Sequence, residues 1–249
     1  MIRRIALAGI AVLAAVAPPA AGWAQTAPAA KPLRTLVYSV QFTATTTNEE
    51  HTSGFTGTGG ATPYGNATTK RAANVDDTGM LTANIVAASG DGGLVVDASF
   101  AGKTTTQPAV RVAVFPDGHL SYAPGADLSP QAARVLPLLA RGLIAERDVS
   151  PGSSWTIPAV PPTKGSYTYH VTTMDGDTAT FAIDIDTTLP GPKGFDEHGK
   201  ATAVYDTVRL CPTRYDLVAT SRHQPAMDQY VTSNAHLTAT LVSDTFAKK

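Results

Sequence analysis

The sequence predicts an all-β fold: a strongly curved, mainly antiparallel sheet or half-barrel of about ten strands, interrupted by one broken helical insert. Three observations predict it. Apolar and polar residues alternate with period two over most of the chain. Turn-forming clusters rich in Gly, Asp and Pro recur at hairpin spacing. Only one stretch beyond the N-terminus, residues 128–155, carries a helical period. A sheet of eight to ten strands with one apolar face must curl or split to bury that face. A two-sheet sandwich with the helix as an edge plug is the alternative.

Residues 1–24 have the features of a secretory signal peptide. Arg3 and Arg4 precede an uncharged apolar run over residues 5–16, Pro18 and Pro19 break it, and Gly22 and Ala24 supply small residues for cleavage. The apolar run is shorter than the ~20 residues of a spanning helix. No cysteine lies nearby for lipid attachment. Residues 25–31 read as an Ala/Pro linker and 32–249 as a single β-rich domain. Cleavage after Ala24 would leave 225 of the 249 residues, and 17 basic against 20 acidic side chains. The expected location is therefore periplasmic or secreted, with no transmembrane anchor after cleavage. A nearly neutral chain without a basic stripe argues against nucleic acid as a partner. Cys211 is the only cysteine, so a core rather than a disulfide must hold the fold.

The strands follow in order. In residues 33–47, Leu36, Tyr38, Val40, Phe42 and Ala44 alternate with mainly polar neighbours, which marks a half-buried antiparallel strand. Residues 48–66 are rich in Gly and Thr and read as a loop or frayed hairpin. Gly54, Gly57, Gly59 and Gly60 lack the Gly-Lys-Ser/Thr of a phosphate loop. Asn66-Ala67-Thr68 matches a glycosylation sequon, but the leader and the Ala-rich composition have a bacterial style. Leu81, Ala83, Ile85 and Ala87 lead into a turn at residues 90–93, and residues 94–102 return. Strands over 108–115 and 119–123 flank the turn Pro116-Asp117-Gly118.

The helical insert follows. Ser129 is placed to cap it and Pro130 occupies the first helical position. Ala132, Val135, Leu136, Leu139 and Leu143 fall on one face, with Gln131, Arg134 and Arg141 opposite. Pro137 conflicts with a continuous helix at about 3 kcal/mol, against roughly 1.5–3 kcal/mol for each large apolar side chain buried. The expectation is a kink or two short helices meeting there, over residues 129–146. Turn chemistry at 148–152 ends the segment, and Trp155 opens the next strand. Strands over 166–174 and 178–188 flank the turn at 175–177. Residues 190–194 form a loop. Asp196-Glu197-His198-Gly199 reads as a solvated hairpin turn between a short strand at Phe195 and a return over 200–210. Cys211-Pro212 bends the chain, and strands over 215–222 and 229–246 close the domain.

Chemistry is sparse in the pattern. His51, His119, His170, His198, His223 and His236 show no metal-ligand spacing, and no cofactor motif is present. Gly-x-Ser-x-Gly is absent. Asp184 and Asp186 share a strand face roughly 7 Å apart, but Ile183 and Ile185 need the core side, so the acids face water. Cys211 is read as a small buried residue. The expectation is a non-enzymatic chain.

Val149-Ser150-Pro151-Gly152-Ser153-Ser154-Trp155 is similar to a V-x-P-G-x-x-W segment of uncharacterised bacterial exported β proteins, in which a short apolar helix precedes the motif and hairpins follow it. More distantly, strands wrapped around one interrupted helical insert resemble the lipoprotein-carrier half-barrel of the LolA and LppX type. That resemblance implies a hydrophobic cavity under a helical lid, and an apolar small molecule or lipid as partner. Tyr38, Val40, Phe42, Phe181, Ile183 and Ile185 are the candidate walls, with Leu136, Leu139 and Leu143 as lid. The same residues would also fill an ordinary core. A ligand predicts a concave apolar cavity of several hundred Å³. A structural or interaction module of the cell envelope predicts a full interior and a free strand edge or exposed apolar patch.

Overall fold

The computed structural model describes residues 31–53, 66–144, 147, 149–191, 194–226 and 229–246. The leader-like segment 1–24, the linker up to residue 30, Gly54, Gly57, Gly59, Gly60 and Glu146 lie outside the described residues.

Eleven strands make one antiparallel sheet: β1 (Arg34–Ser53), β2 (Asn66–Ala88), β3 (Leu94–Gly102), β4 (Thr106–Val114), β5 (Leu120–Tyr122), β6 (Ser154–Pro158), β7 (Lys164–Asp175), β8 (Thr178–Leu189), β9 (Phe195–Asp206), β10 (Cys211–Ala226) and β11 (Gln229–Asp244). The spatial order is β5-β4-β3-β2-β1-β11-β10-β9-β8-β7-β6. Two meanders, β1–β5 and β6–β11, therefore meet at a central seam where β1 pairs with β11. Val40 faces Ala239 and Phe42 faces Leu237 across that seam. The sandwich alternative falls away, because every strand among the described residues belongs to the same sheet.

The sheet is curled but not closed. Its edge strands β5 and β6 are ten steps apart, which in a flat sheet is about 48 Å at ~4.8 Å per step. Nevertheless Leu120 and Tyr122 of β5 and Ile157 and Pro158 of β6 wall the same cavity. The register shifts at Val37/Tyr38, Ile85/Ala87, Ala98/Phe100, Val171/Thr173, Pro212/Arg214 and His223/Ala226 contribute to this bend. Each extra residue in one strand bends it and sharpens the local twist.

The insert joins the two edge strands in the chain and packs on the concave face, against β3, β4 and β10. Its α-helix, α1 (Pro130–Val135), is a turn and a half, followed by 3₁₀ turns over Leu136–Leu139 and Arg141–Leu143. Ser129 caps α1 as expected: its Oγ accepts the Ala132 N–H at 3.2 Å. Pro130 stands in the first turn, and Pro137 ends the α geometry by opening the 3₁₀ turn. Gln107 of β4 anchors the cap. Its Oε1 accepts the Ser129 N–H, and its Nε2 donates to the Ala98 carbonyl at 3.1 Å. Gly142 packs so closely on Pro116 that an added Cβ would lie 2.4 Å from the Pro116 carbonyl oxygen.

The core lies on the concave side, between sheet and insert. Leu36, Tyr38, Val40, Leu81, Val96, Phe100, Val112, Leu217 and Leu237 are fully buried with Val135, Leu136 and Leu139 of the insert. An aromatic row crosses one half of it. Trp155 stacks on Tyr169 at 5.7 Å and meets Phe181 edge-on at 5.7 Å, and Phe181 meets Tyr205 at 6.1 Å. Asp184 and Asp186 face outward, as expected, and pair with His170, Lys200 and His198.

Three expectations are corrected. β1 runs on to Ser53 and β2 begins at Asn66, so residues 48–53 are strand rather than loop. Residues 48–53 pair with 66–71 of β2, and 48–50 also with 229–231 of β11; Glu49 faces Lys70, and the two form an ion pair at 2.7 Å. Residues 196–199 are not a turn, because β9 runs unbroken from Phe195 to Asp206. The polar residues there alternate in and out, and Glu197 points inward at 1% exposure. Cys211 and Pro212 do not bend the chain. They begin β10, and the turn precedes them at residues 207–210.

Candidate functional site

A cavity of about 130 Å³ lies between the insert and the strands that flank the open gap. The alternation of each strand sends its wall residues inward. Leu120 and Tyr122 come from β5, Ile157 from β6, Tyr167 and Tyr169 from β7, Ile183 and Ile185 from β8, and Tyr215 from β10. The insert contributes Pro130, Ala133, Arg134, Pro137 and Leu138 as the opposing wall. Most of this surface is carbon.

Of the wall residues expected from the sequence, Ile183 and Ile185 line the cavity. Tyr38, Val40, Phe42, Phe181, Leu136, Leu139 and Leu143 do not. All seven are buried in the packed core beside it. The cavity is also smaller than the several hundred Å³ expected. Tyr38, Phe42, Phe100, Phe181 and Tyr205 are bulky side chains that fill the rest of the interior. What remains is well above the ~10–15 Å³ that one water needs and below the ~300–1,000 Å³ of sites that bury a drug-sized ligand.

The wall carries one buried ion pair. Arg134 Nη2 of α1 meets Glu197 Oε1 of β9, with 21% of the arginine side chain and 1% of the glutamate side chain exposed. Sequence reasoning assigned Arg134 to the polar face of the insert and Glu197 to a solvated turn. Each instead neutralises the other inside the fold. Burial opposes the guanidinium charge, but Glu197 outweighs it and holds the Arg134 pKa above its ordinary value. Burial pushes the phenols of Tyr167, Tyr169 and Tyr215 up, Tyr167 to about 12, so all three remain neutral hydrogen-bonding groups.

At the rim, His119 stacks on Phe115 at 3.8 Å, and its Nδ1 lies 2.5 Å from Asp117 Oδ1. Asp117, Gly118 and His119 all touch the cavity. The charged groups in the lining are therefore Arg134 and Asp117, with His119 beside the latter and Glu197 behind the former. The inward positions of β7 were legible as alternation around Tyr167, Tyr169 and Val171. Arg134 and Glu197 were not, because each is explained only by a partner distant in sequence.

Among the described residues no helix is long and apolar enough to cross a membrane, and no group of three or more His, Cys, Asp or Glu side chains could hold a metal ion. No family model matches the chain, and no curated protein matches it. A solved structure titled "Lipid-protein interactions in lipovitellin" superposes with a TM-score of 0.43 at 10% identity, over 88% of this chain and 26% of that one. The chain thus spans about a quarter of the length of that protein.

Proposed function

We propose that the chain is an exported binding protein that holds a small apolar or amphiphilic molecule, such as a single acyl chain, between the curved sheet and the helical insert. The observation that carries this reading is the cavity itself, about 130 Å³ walled mainly by apolar and aromatic side chains from five strands and the insert. Its size suits one short chain or one ring rather than several acyl chains. The leader-like segment 1–24 supports export, to the periplasm or the medium. The absence of nucleophile and metal motifs from the sequence supports binding rather than catalysis.

The test uses a fluorescent naphthylamine probe that brightens in apolar surroundings, together with organic extraction of the purified protein and mass spectrometry. Trp155 is a built-in reporter. It stacks on the wall residue Tyr169, and the other tryptophan, Trp23, lies in the leader-like segment. The expected result is saturable probe binding, a shift in Trp155 emission, and loss of both in Ile185→Phe, which fills part of the cavity without adding a tryptophan. Absence of probe binding together with an empty extract would overturn the reading.

A second reading has one observation in its favour. Residues 66–77 of β2 extend past the last β2–β3 pair, Gly79 with Gly102, and on the side away from β1 have no strand beside them among the described residues. Such an edge can accept a strand from another chain. Light scattering that showed a stable self-associated form, abolished by Ala72→Pro, would favour this envelope-module reading.

A further inference from the structure

We propose that the cavity selects an uncharged amphiphile with a carbonyl-type oxygen, an ester or an amide, which Arg134 holds, and that it discriminates against free carboxylates. This rests on the ligand-binding reading above and names the chemistry of that ligand.

The guanidinium carries five N–H donors in a planar fork. One nitrogen of Arg134 is engaged by Glu197, and no other hydrogen-bond or ion-pair partner of its side chain is found among the described residues. The side chain lines the cavity. Unused N–H groups in a mainly apolar wall attract an acceptor, since an unmade hydrogen bond is costly there. The hydroxyls of Tyr167 and Tyr215, also in the wall, have no hydrogen-bond partner among the described residues. Both residues line the same cavity as Arg134, so their hydroxyls are available to the polar head of a ligand.

Charge decides which head fits. Glu197 cancels the Arg134 charge from behind, and Asp117 adds a negative group at the rim. A ligand carboxylate bound at Arg134 would lie close to a second carboxylate with little water to screen them, and such pairs repel strongly. An alkylamine meets the opposite obstacle: the Glu197 oxygen is occupied by Arg134, whose own charge repels it. A carbonyl oxygen accepts from the fork and avoids both costs.

The experiment is probe displacement from the full-length purified protein at pH 8 by four ligands of equal chain length: methyl decanoate, decanoate, decane and decylamine. The expected order places the ester about tenfold tighter than decanoate and decane, the difference that one hydrogen bond to a charged donor supplies. Arg134→Lys, which keeps the charge but loses the fork, should bring the ester close to decane. Glu197→Gln should raise decanoate affinity by roughly tenfold and leave the ester within a few-fold, because the guanidinium charge is then uncompensated. Decanoate or decylamine binding as tightly as the ester in the wild type overturns the inference, as does an ester preference that survives Arg134→Lys. Equal binding of all four ligands also overturns it while leaving the apolar cavity reading intact. Displacement by none of them sinks that underlying reading. Should a variant fail to fold by circular dichroism, the wild-type order alone decides.

Discussion

Arg34 donates two hydrogen bonds to Asp244, 2.9 Å from Nε and 2.8 Å from Nη2, and so ties the first strand in the chain to the last, its neighbour in the sheet. The same guanidinium donates to the Arg209 carbonyl at 2.7 Å and reaches Cys211 Sγ at 3.2 Å. One side chain thus fastens the central seam and the β9–β10 turn together. The Asp244 side chain is only 3% exposed. Asp244→Asn should lower stability by about 3 kcal/mol at pH 7, as expected when one partner of a buried pair is lost.

The same pair predicts a pH dependence. Burial works to raise the Asp244 carboxyl, but the Arg34 hydrogen bonds, the Phe246 N–H and the Arg34 and Arg209 charges outweigh it and hold the group below the usual carboxylate range. A depressed folded-state pKa contributes stability that is complete above the unfolded value of about 3.9. It is lost as the pH falls through the folded value. Urea titrations from pH 7 to pH 2 should therefore show a steeper acid loss in the wild type than in Asp244→Asn.

Breaking the interior pair from one side should cost more than removing it whole. Arg134→Met leaves the buried Glu197 carboxyl without its partner, at about 3–5 kcal/mol. Arg134→Met with Glu197→Leu replaces both charges by apolar groups and should recover most of that loss. Chemical denaturation of the two single variants and the double variant measures the coupling. Strict additivity would show that the pair does not act as a unit.

The cap of α1 is open to a simple truncation. Ser129→Ala removes the acceptor for the Ala132 N–H and should cost about 1 kcal/mol. The Gln107 side chain would still hold the Ser129 N–H, so the insert should remain docked and cavity binding should persist. Thermal melts and probe titration read the two effects separately.

Gly142 should tolerate no side chain. Its Cβ would meet the Pro116 carbonyl at 2.4 Å, and the clash is with backbone rather than with a flexible side chain. Gly142→Ala should cost on the order of 1–3 kcal/mol and should loosen the insert before the sheet. Hydrogen exchange should show lost protection at residues 136–144 with the β1–β11 seam unchanged.

Cys211 should be inert in the folded protein. Burial pushes its thiol up to about 11, Arg34 only partly offsetting this, and the residue has no exposed surface. An aromatic disulfide reagent at pH 8 should label it only at the rate of unfolding. Rapid labelling of folded protein would show that the seam opens locally.

Much of this architecture could be read locally. The alternation from Leu36 to Ala44 set the inward face of β1, Ser129 with Pro130 placed the start of the insert, and Pro137 marked its break. Those signals work because neighbours along the chain settle them. β2 was read only from Leu81 onward, because residues 68–74 are exposed and hold no large apolar side chain. They are strand because β1 supplies the partner ladder, and eleven strands form where about ten were expected. Glu197 failed for a related reason. Asp-Glu-His-Gly reads as a turn until Arg134, brought in by the insert, gives the glutamate a counter-charge. Tyr122, Leu138 and Tyr215 likewise became wall residues only once curvature joined two remote edges.

The gap between β5 and β6 has a mechanical consequence. A closed barrel cannot widen without breaking a ladder of backbone hydrogen bonds. Here the two edges share no ladder and both border the cavity under the insert, so the sheet can flex like a split ring about the β1–β11 seam. Enlarging the interior then disturbs side-chain packing along the insert and leaves every strand pair intact.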